Sequence, residues 1–270
     1  MSNAPPPLLE SRSCSVALGG APVVREVSFA VEPGQCVGLL GPNGSGKTTL
    51  LRAIGGALPY DGRLALEGRE VRDWPKRPLA RRVAFVRQAP ALSFDLRVAD
   101  LVALGRAPHK RLLEGRTDAD RERVEEALAA VEMEELADRS ARTLSGGERG
   151  RAFLAQTLVQ EAGLLLLDEP TAHLDIRHQH AFFERVRRLT RTEGRAALLA
   201  AHDLERAARY ADHLLVLRPD GRLAAAGPPE EVLTPALIAE VFRMDAQVER
   251  PAEGPLRIRY CGPAEPTATA

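Results

Sequence analysis

Three short stretches of this chain place residue types at spacings suited to phosphate chemistry. The first runs from Gly38 to Leu51, GLLGPNGSGKTTLL, where Gly41, Gly46, Lys47 and Thr48 satisfy G-x-x-x-x-G-K-[ST]. Gly44 and Gly46 let the backbone wrap a phosphate without Cβ clashes. The N–H groups of such a loop, and the helix start behind it, face the anion. Lys47 adds a mobile positive charge for the β- and γ-phosphates, and the Thr48 hydroxyl suits Mg²⁺. The whole run Gly41, Pro42, Asn43, Gly44, Ser45, Gly46, Lys47, Thr48 and Thr49 is the candidate nucleotide-binding segment. The second stretch is Leu164 to Pro170, LLLLDEP. An acid at the C-terminal end of a buried strand sits in the crevice where open α/β sheets bind ligands. Asp168 is there to hold Mg²⁺ directly or through water, and Glu169 to polarise a water for in-line attack. The third is Leu144-Ser145-Gly146-Gly147-Glu148, a serine and paired glycines before a helix. Free N–H groups and a hydroxyl again suit phosphate, and an ordinary serine N-cap reads the same way. One nucleotide pocket has no use for a second such helix end. Two copies facing each other would have one, each laying this turn over the other's nucleotide.

These residues need a frame. Cys36 to Leu40 is a short apolar run before the loop, and a helix-capable segment, Thr48 to Leu58, follows it. Leu164 to Leu167 is continuously apolar, as a central parallel strand covered on both faces would be. Val83 to Val86, Ala196 to Ala201 and Leu214 to Leu217 read as further strands of that sheet, the last turning through Pro219-Asp220-Gly221 into Arg222 to Ala226. Val16 to Leu18, Val23-Val24, Val27 to Val31 and Arg63 to Glu67 suggest a small antiparallel sheet. From Arg97 to Gln160 the pattern is helical, with Thr117 and Asp120 resembling a capping box and Val124, Ala127, Leu128 and Val131 forming an apolar stripe. Thr234 can cap a helix with Pro235 at its first position. Ala246 to Val248 and Leu256 to Tyr260 pair as a terminal hairpin, before a frayed tail from Gly262.

Composition narrows the function classes. Basic and acidic residues number 37 each, so no nucleic-acid footprint shows at whole-chain level. Cys14, Cys36 and Cys261 are too few and too scattered for a disulfide framework or a zinc site, which points to a reducing compartment. MSNAPPPLLE has neither a basic n-region nor an apolar h-region, so no signal peptide is expected. No apolar run is long enough to span a bilayer, so a membrane role must come through a partner. His173, His178 and His180 tempt a metal reading, yet residues two apart on a helix do not share a face. A solvated surface is the better reading there.

GPNGSGKTT, LSGGE and LLLLDEP, in that order, resemble the ATP-binding subunit of an ABC transporter over roughly residues 12 to 245. The resemblance implies ATP and Mg²⁺ as cofactors, and a P-loop α/β fold with a mostly parallel sheet, an antiparallel β subdomain and a helical subdomain. It puts Gln88 at the Q-loop glutamine, which touches Mg²⁺ and faces the membrane subunits. It puts Asp175 in the D-loop at the dimer seam, and His202 at the switch histidine on the γ-phosphate. Ser145, Gly146, Gly147 and Glu148 would complete the site of the opposite protomer in a head-to-tail homodimer. Phe94 to Val98, Leu104 to His109 and Leu174 to Gln179 look like the branch importing iron–siderophore, haem or cobalamin. The partners implied are a second copy, integral membrane permease subunits and, indirectly, a substrate-binding protein, at the cytoplasmic face of the membrane, with no nucleic acid. The chain departs from the pattern at Leu18, where an aromatic ring usually stacks on adenine, and at Gly150, where glutamine is common.

The expected organisation is a disordered lead-in over 1–11 and an ATPase domain over 12–245, with its helical part at 97–160. A hairpin and frayed tail would follow over 246–270. The expected activity is ATP hydrolysis powering a membrane importer, with Glu169, His202 and Gln88 at the reacting atoms. A soluble ABC-type ATPase on an assembly or repair scaffold is the rival reading. A P-loop kinase or GTPase gives LSGGE no purpose.

Overall fold

The computed structural model describes residues 6–86, 95–111, 114–171, 175–251 and 254–264. The site is carried by a six-stranded sheet and the elements that feed it. Strand β1 (Leu9–Leu18) and β2 (Ala21–Val31) precede β3 (Cys36–Leu40), which runs into α1 (Lys47–Ile54). Next come β4 (Asp61–Leu66), β5 (Arg69–Glu70), α2 (Lys76–Arg82) and β6 (Val83–Val86). A helical stretch follows, with α3 (Val98–Ala103), α4 (Asp118–Ala129) and α5 (Gly146–Leu158). The chain returns through β7 (Leu164–Asp168), α6 (Ile176–Glu193), β8 (Ala196–Ala200), α7 (Leu204–Tyr210), β9 (His213–Leu217) and β10 (Leu223–Gly227). Short helical turns lead to β11 (Met244–Glu249) and β12 (Arg257–Pro263).

The central sheet has the order β10-β9-β3-β8-β7-β6, parallel except for β10 at its edge. β3 and β8 are wholly apolar and buried along their length, as strands covered on both faces must be. Period-two alternation then sends successive side chains into two cores. Leu164, Leu166 and Leu198 face α1 and the antiparallel sheet; Leu165, Leu167 and Leu199 face the layer with α5, α6 and α7. Each such leucine contributes about 1.5–3 kcal/mol by leaving water. The Thr117 capping box is present, with Asp120 accepting from the Thr117 N–H at 3.0 Å. No helix among the described residues is long and apolar enough to cross a membrane.

The α/β architecture with a second, antiparallel sheet (β2-β1-β4-β5) is the one expected. Four local expectations are corrected. The segment expected to be a disordered lead-in already holds β1 from Leu9, which is fully buried between its partners Val31 and Leu66. The fragments read as separate strands are two continuous ones. Register shifts in β1 after Ser11 and Cys14, with left-handed φ at Ser13 and Glu26, break the alternation that would have revealed them. At the other end the strand runs on to Pro263, so Gly262 and Pro263 are paired with Asp245 and Met244 rather than frayed. The first helix also stops at Ile54, short of Leu58, because Gly55 and Gly56 follow.

Candidate functional site

The loop from Gly41 to Gly46 leaves the C-terminal end of β3 and turns directly into α1. Gly41 has φ 150°, and a Cβ on it would lie 2.6 Å from Ser45 Oγ and 2.7 Å from the Leu217 carbonyl. Gly46 has φ 96°, and a Cβ there would press on Val24 and the Val23 carbonyl from β2. No side chain caps α1, so the N–H groups of its first turn remain directed at the loop's hollow. That hollow is lined by Val23, Asn43, Gly44, Ser45, Gly46, Lys47, Thr48, Thr49 and Glu169. Pro42 contributes its carbonyl, accepting from Ser45 N–H at 3.2 Å. The Ser45 hydroxyl is buried and has no hydrogen-bond partner among the described residues.

Lys47 folds its side chain back over the loop, donating from Nζ to the Gly41 carbonyl at 2.7 Å and the Pro42 carbonyl at 3.1 Å. Burial lowers its pKa, while Glu169 and Asp168 push it the other way. Thr48 Oγ1 donates to Asp168 Oδ1 at 2.9 Å, which joins the start of α1 to the end of β7. Burial raises the Asp168 pKa, the Thr48 bond opposes this, and neighbouring Glu169 adds to it. Arg52 and Lys47 supply some positive charge to that carboxylate. With the Thr48 hydroxyl it forms a set of hard oxygen donors that fits Mg²⁺.

Glu169 has left-handed φ 49°, unusual for a non-glycine residue and strained by about 1–3 kcal/mol. Its N–H donates to the Ala200 carbonyl at 3.3 Å, fixing it across the end of β8. Its carboxylate meets His202 Nε2 in a short hydrogen bond. His202 leaves β8, which lies between β3 and β7, so three strand ends converge on one crevice.

The other expected residues lie elsewhere or beyond view. Gln88 falls outside the described residues, as do Phe94, His173 and Leu174. Asp175 caps α6, accepting from His178 N–H at 2.9 Å, and the His178 ring Nδ1 stands 2.8 Å from both its oxygens. That backbone bond, then the ring, depresses the Asp175 pKa. Ser145 caps α5 in a reciprocal box with Glu148: its hydroxyl accepts from Glu148 N–H at 3.3 Å, and Glu148 accepts from Ser145 N–H at 2.7 Å. Ser145, Gly146, Gly147 and Glu148 do not line the loop's hollow in this chain. His180 Nδ1 meets the Tyr210 hydroxyl at 2.6 Å, and no metal-binding cluster occurs among the described residues. Two contributors escaped the sequence reading. Val23 forms a wall of the hollow, and Gln179 Nε2 donates to the Thr171 carbonyl at 3.1 Å, bracing the turn after Glu169. Neither carries a local signal, because each acts across the fold.

The family model for the ABC transporter matches residues 24–172. A hemin import ATP-binding protein of Pseudomonas entomophila is 45% identical over 248 residues, covering 90% of this chain and 95% of that protein. A probable siderophore transport system ATP-binding protein of Bacillus subtilis is 39% identical over 241 residues, covering 89% and 87%. Among solved structures, cbiO1 of Clostridium perfringens, part of the ABC transporter complex cbiONQ, superposes with a TM-score of 0.74 at 26% identity, covering 86% of this chain and 93% of that one.

Proposed function

This chain belongs to the ABC transporter family as an ATP-binding, ATP-hydrolysing subunit, and from that premise we propose how its residues divide the work and what it powers. The observation that carries the proposal is the convergence of the Lys47 loop, Asp168 and the Glu169–His202 pair at neighbouring strand ends. Nucleotide enters the hollow behind Asn43 and Gly44. Lys47 then exchanges the Gly41 and Pro42 carbonyls for phosphate oxygens, and the buried Ser45 hydroxyl gains an acceptor. The N–H groups of Gly44 to Thr49 surround the same oxygens. Thr48 and Asp168 would hold Mg²⁺, which would neutralise charge on the nucleotide's phosphates. Glu169 accepts a proton from, or orients, the attacking water, and His202 keeps that carboxylate aimed.

Subunits of this kind act as dimers with membrane permease subunits. For this chain the arrangement proposed is head-to-tail. The Ser145–Glu148 turn is absent from its own nucleotide hollow, which supports a role in that of a second copy. Gln88 and the helices after it are the proposed relay to the permease, and Asp175 the contact across the seam. The dimer sits at the cytoplasmic face of the membrane through the permease. The cargo proposed is a metal chelate of the iron–siderophore, haem or cobalamin kind, because relatives covering nearly the whole chain import hemin or siderophore.

Glu169→Gln separates binding from chemistry. The variant should bind ATP as the parent does, dimerise more stably in light scattering, and lose turnover about a hundredfold or more, the scale of general base catalysis. Turnover near the parent's would remove Glu169 from its role. A nucleotide-saturated variant that stays monomeric would end the proposal that two copies share each nucleotide.

A further inference from the structure

A second hollow opens beside the nucleotide site, between the first half of α6, α7 and the start of β12, with a volume of about 300 Å³. That is the size at which small-molecule sites begin. Its inner wall is the stacked pair Phe183 and Tyr210, whose rings lie 4.9 Å apart at 18°. The Arg206 guanidinium rests 5.7 Å over Phe183, and that of Arg209 5.5 Å over Tyr210. A guanidinium laid over a ring still has its in-plane N–H donors available for a planar anion. Across the opening stands Arg257, and neither its guanidinium nor that of Arg209 has a hydrogen bond or ion pair among the described residues. The two acids nearby are engaged elsewhere. Asp203 accepts from Arg206 N–H at 2.9 Å, and Glu205 accepts from Ile258 N–H at 2.6 Å. The rim adds Ile176, an aliphatic side chain that is 85% exposed.

We infer that this hollow is a ligand site for a small carboxylate carried on an apolar body, and that its occupancy is felt at the Glu169–His202 pair. The carboxylate bridges Arg209 and Arg257, and the body covers Ile176 and Leu256. The path to the reacting end is short. Arg206 also touches Asp203 Oδ2 at 3.4 Å, and Asp203 directly follows His202. A carboxylate bound between Arg209 and Arg257 also attracts the neighbouring Arg206 guanidinium, and drawing it away leaves the Asp203 side chain with the Arg206 N–H alone. Gln179 and Arg206 wall both this hollow and a third, smaller one of about 140 Å³ that Glu169 and His202 line. The link to turnover rests on the roles given above to Glu169 and His202; the binding does not.

The test uses the full chain, 1-naphthoate as probe, and the neutral 1-naphthamide of the same shape. In nucleotide-free calorimetry the acid should bind about tenfold more tightly than the amide, as charge-assisted bidentate bonds require. Arg209→Ala combined with Arg257→Ala should abolish that preference while leaving the melting temperature and ligand-free turnover at parental values. Saturating 1-naphthoate should change parental ATP turnover about twofold or more and leave the double variant unmoved. Equal affinity for acid and amide, no measurable binding of the acid, or a preference that survives in the double variant overturns the site. Binding with unaltered turnover overturns the link to His202. Loss of the Glu169 role with intact binding would overturn the catalytic reading instead, so the two failures are told apart.

Discussion

Ser45→Ala should make the nucleotide-free protein more stable and its grip on ATP weaker. The Ser45 side chain is fully buried, and its hydroxyl has no hydrogen-bond partner among the described residues. It is packed so close to Gly41 that a Cβ there would come within 2.6 Å of it. A buried hydroxyl left unsatisfied costs about 1–3 kcal/mol. Alanine removes that cost and leaves only the space of one oxygen, roughly half a kcal/mol of lost packing. The net gain is about 0.5–2.5 kcal/mol, or a rise of about 1–4 °C in Tm for a chain of this size. With ATP bound the balance reverses. The same hydroxyl then donates to a charged phosphate oxygen, a bond of about 1.5–3 kcal/mol, and its loss should weaken ATP about ten- to hundredfold. Differential scanning fluorimetry without nucleotide reads the first effect, and titration with a fluorescent ATP analogue reads the second. A lower Tm would show that Ser45 has a structural partner. Unchanged affinity would show that the hydroxyl faces no phosphate.

Gln179→Leu keeps the volume but removes the donor that braces the Thr171 carbonyl. Steady-state kinetics should show kcat down roughly fivefold, the equivalent of about 1 kcal/mol, with KM for ATP unchanged; a change in KM alone would contradict this. Asp120→Ala removes the carboxylate that pairs with Arg106 and Lys110 at 3.1 and 2.9 Å in a largely buried cluster, while Arg106 keeps Glu161 at 2.7 Å and Lys110 the Gly115 carbonyl at 2.9 Å. Thermal unfolding should show a loss of about 1.5–3 kcal/mol. Burial pushes the Asp120 carboxyl up, but bonds from the Thr117 N–H, Lys110, the Thr117 hydroxyl and Arg106 outweigh it and hold the group well below the usual carboxylate range. The parent's advantage over this variant is therefore full above the unfolded pKa of about 4 and fades only as pH drops below it. Melting curves in which the advantage vanishes by neutral pH would refute that assignment. Leu18→Tyr, at the 40% exposed end of β1, should bind ATP about tenfold more tightly by restoring a stacking ring. Equal affinity in nucleotide titrations would place adenine elsewhere.

Where the expected chemistry is local in the chain, its candidate residues could be named from the sequence. The Gly41–Thr49 loop, the Asp168–Glu169 pair and the Ser145 turn each combine residue type with spacing on a single strand–loop–helix junction. A phosphate-sized anion constrains such a junction within a few residues. The buried strands β3, β7 and β8 were legible for a similar reason, since a strand covered on both faces must be apolar throughout. Legibility failed where alternation is broken, as in β1 and β2, whose register shifts hide strands of 10 and 11 residues behind what reads as fragments.

The sequence by itself named the candidate residues for a nucleotide and the α/β frame expected to hold them. Only the tertiary structure decided that Thr48 reaches Asp168 across 120 residues, that Glu169 is held against His202, and that Gln179 braces the turn between them. It alone brought Arg209 and Arg257 to the mouth of one hollow. The physical reason is that a side-chain pair has no period and no spacing along the chain. Its geometry is set by strand order, here β8 inserted between β3 and β7, and that order is fixed by burying two cores at once.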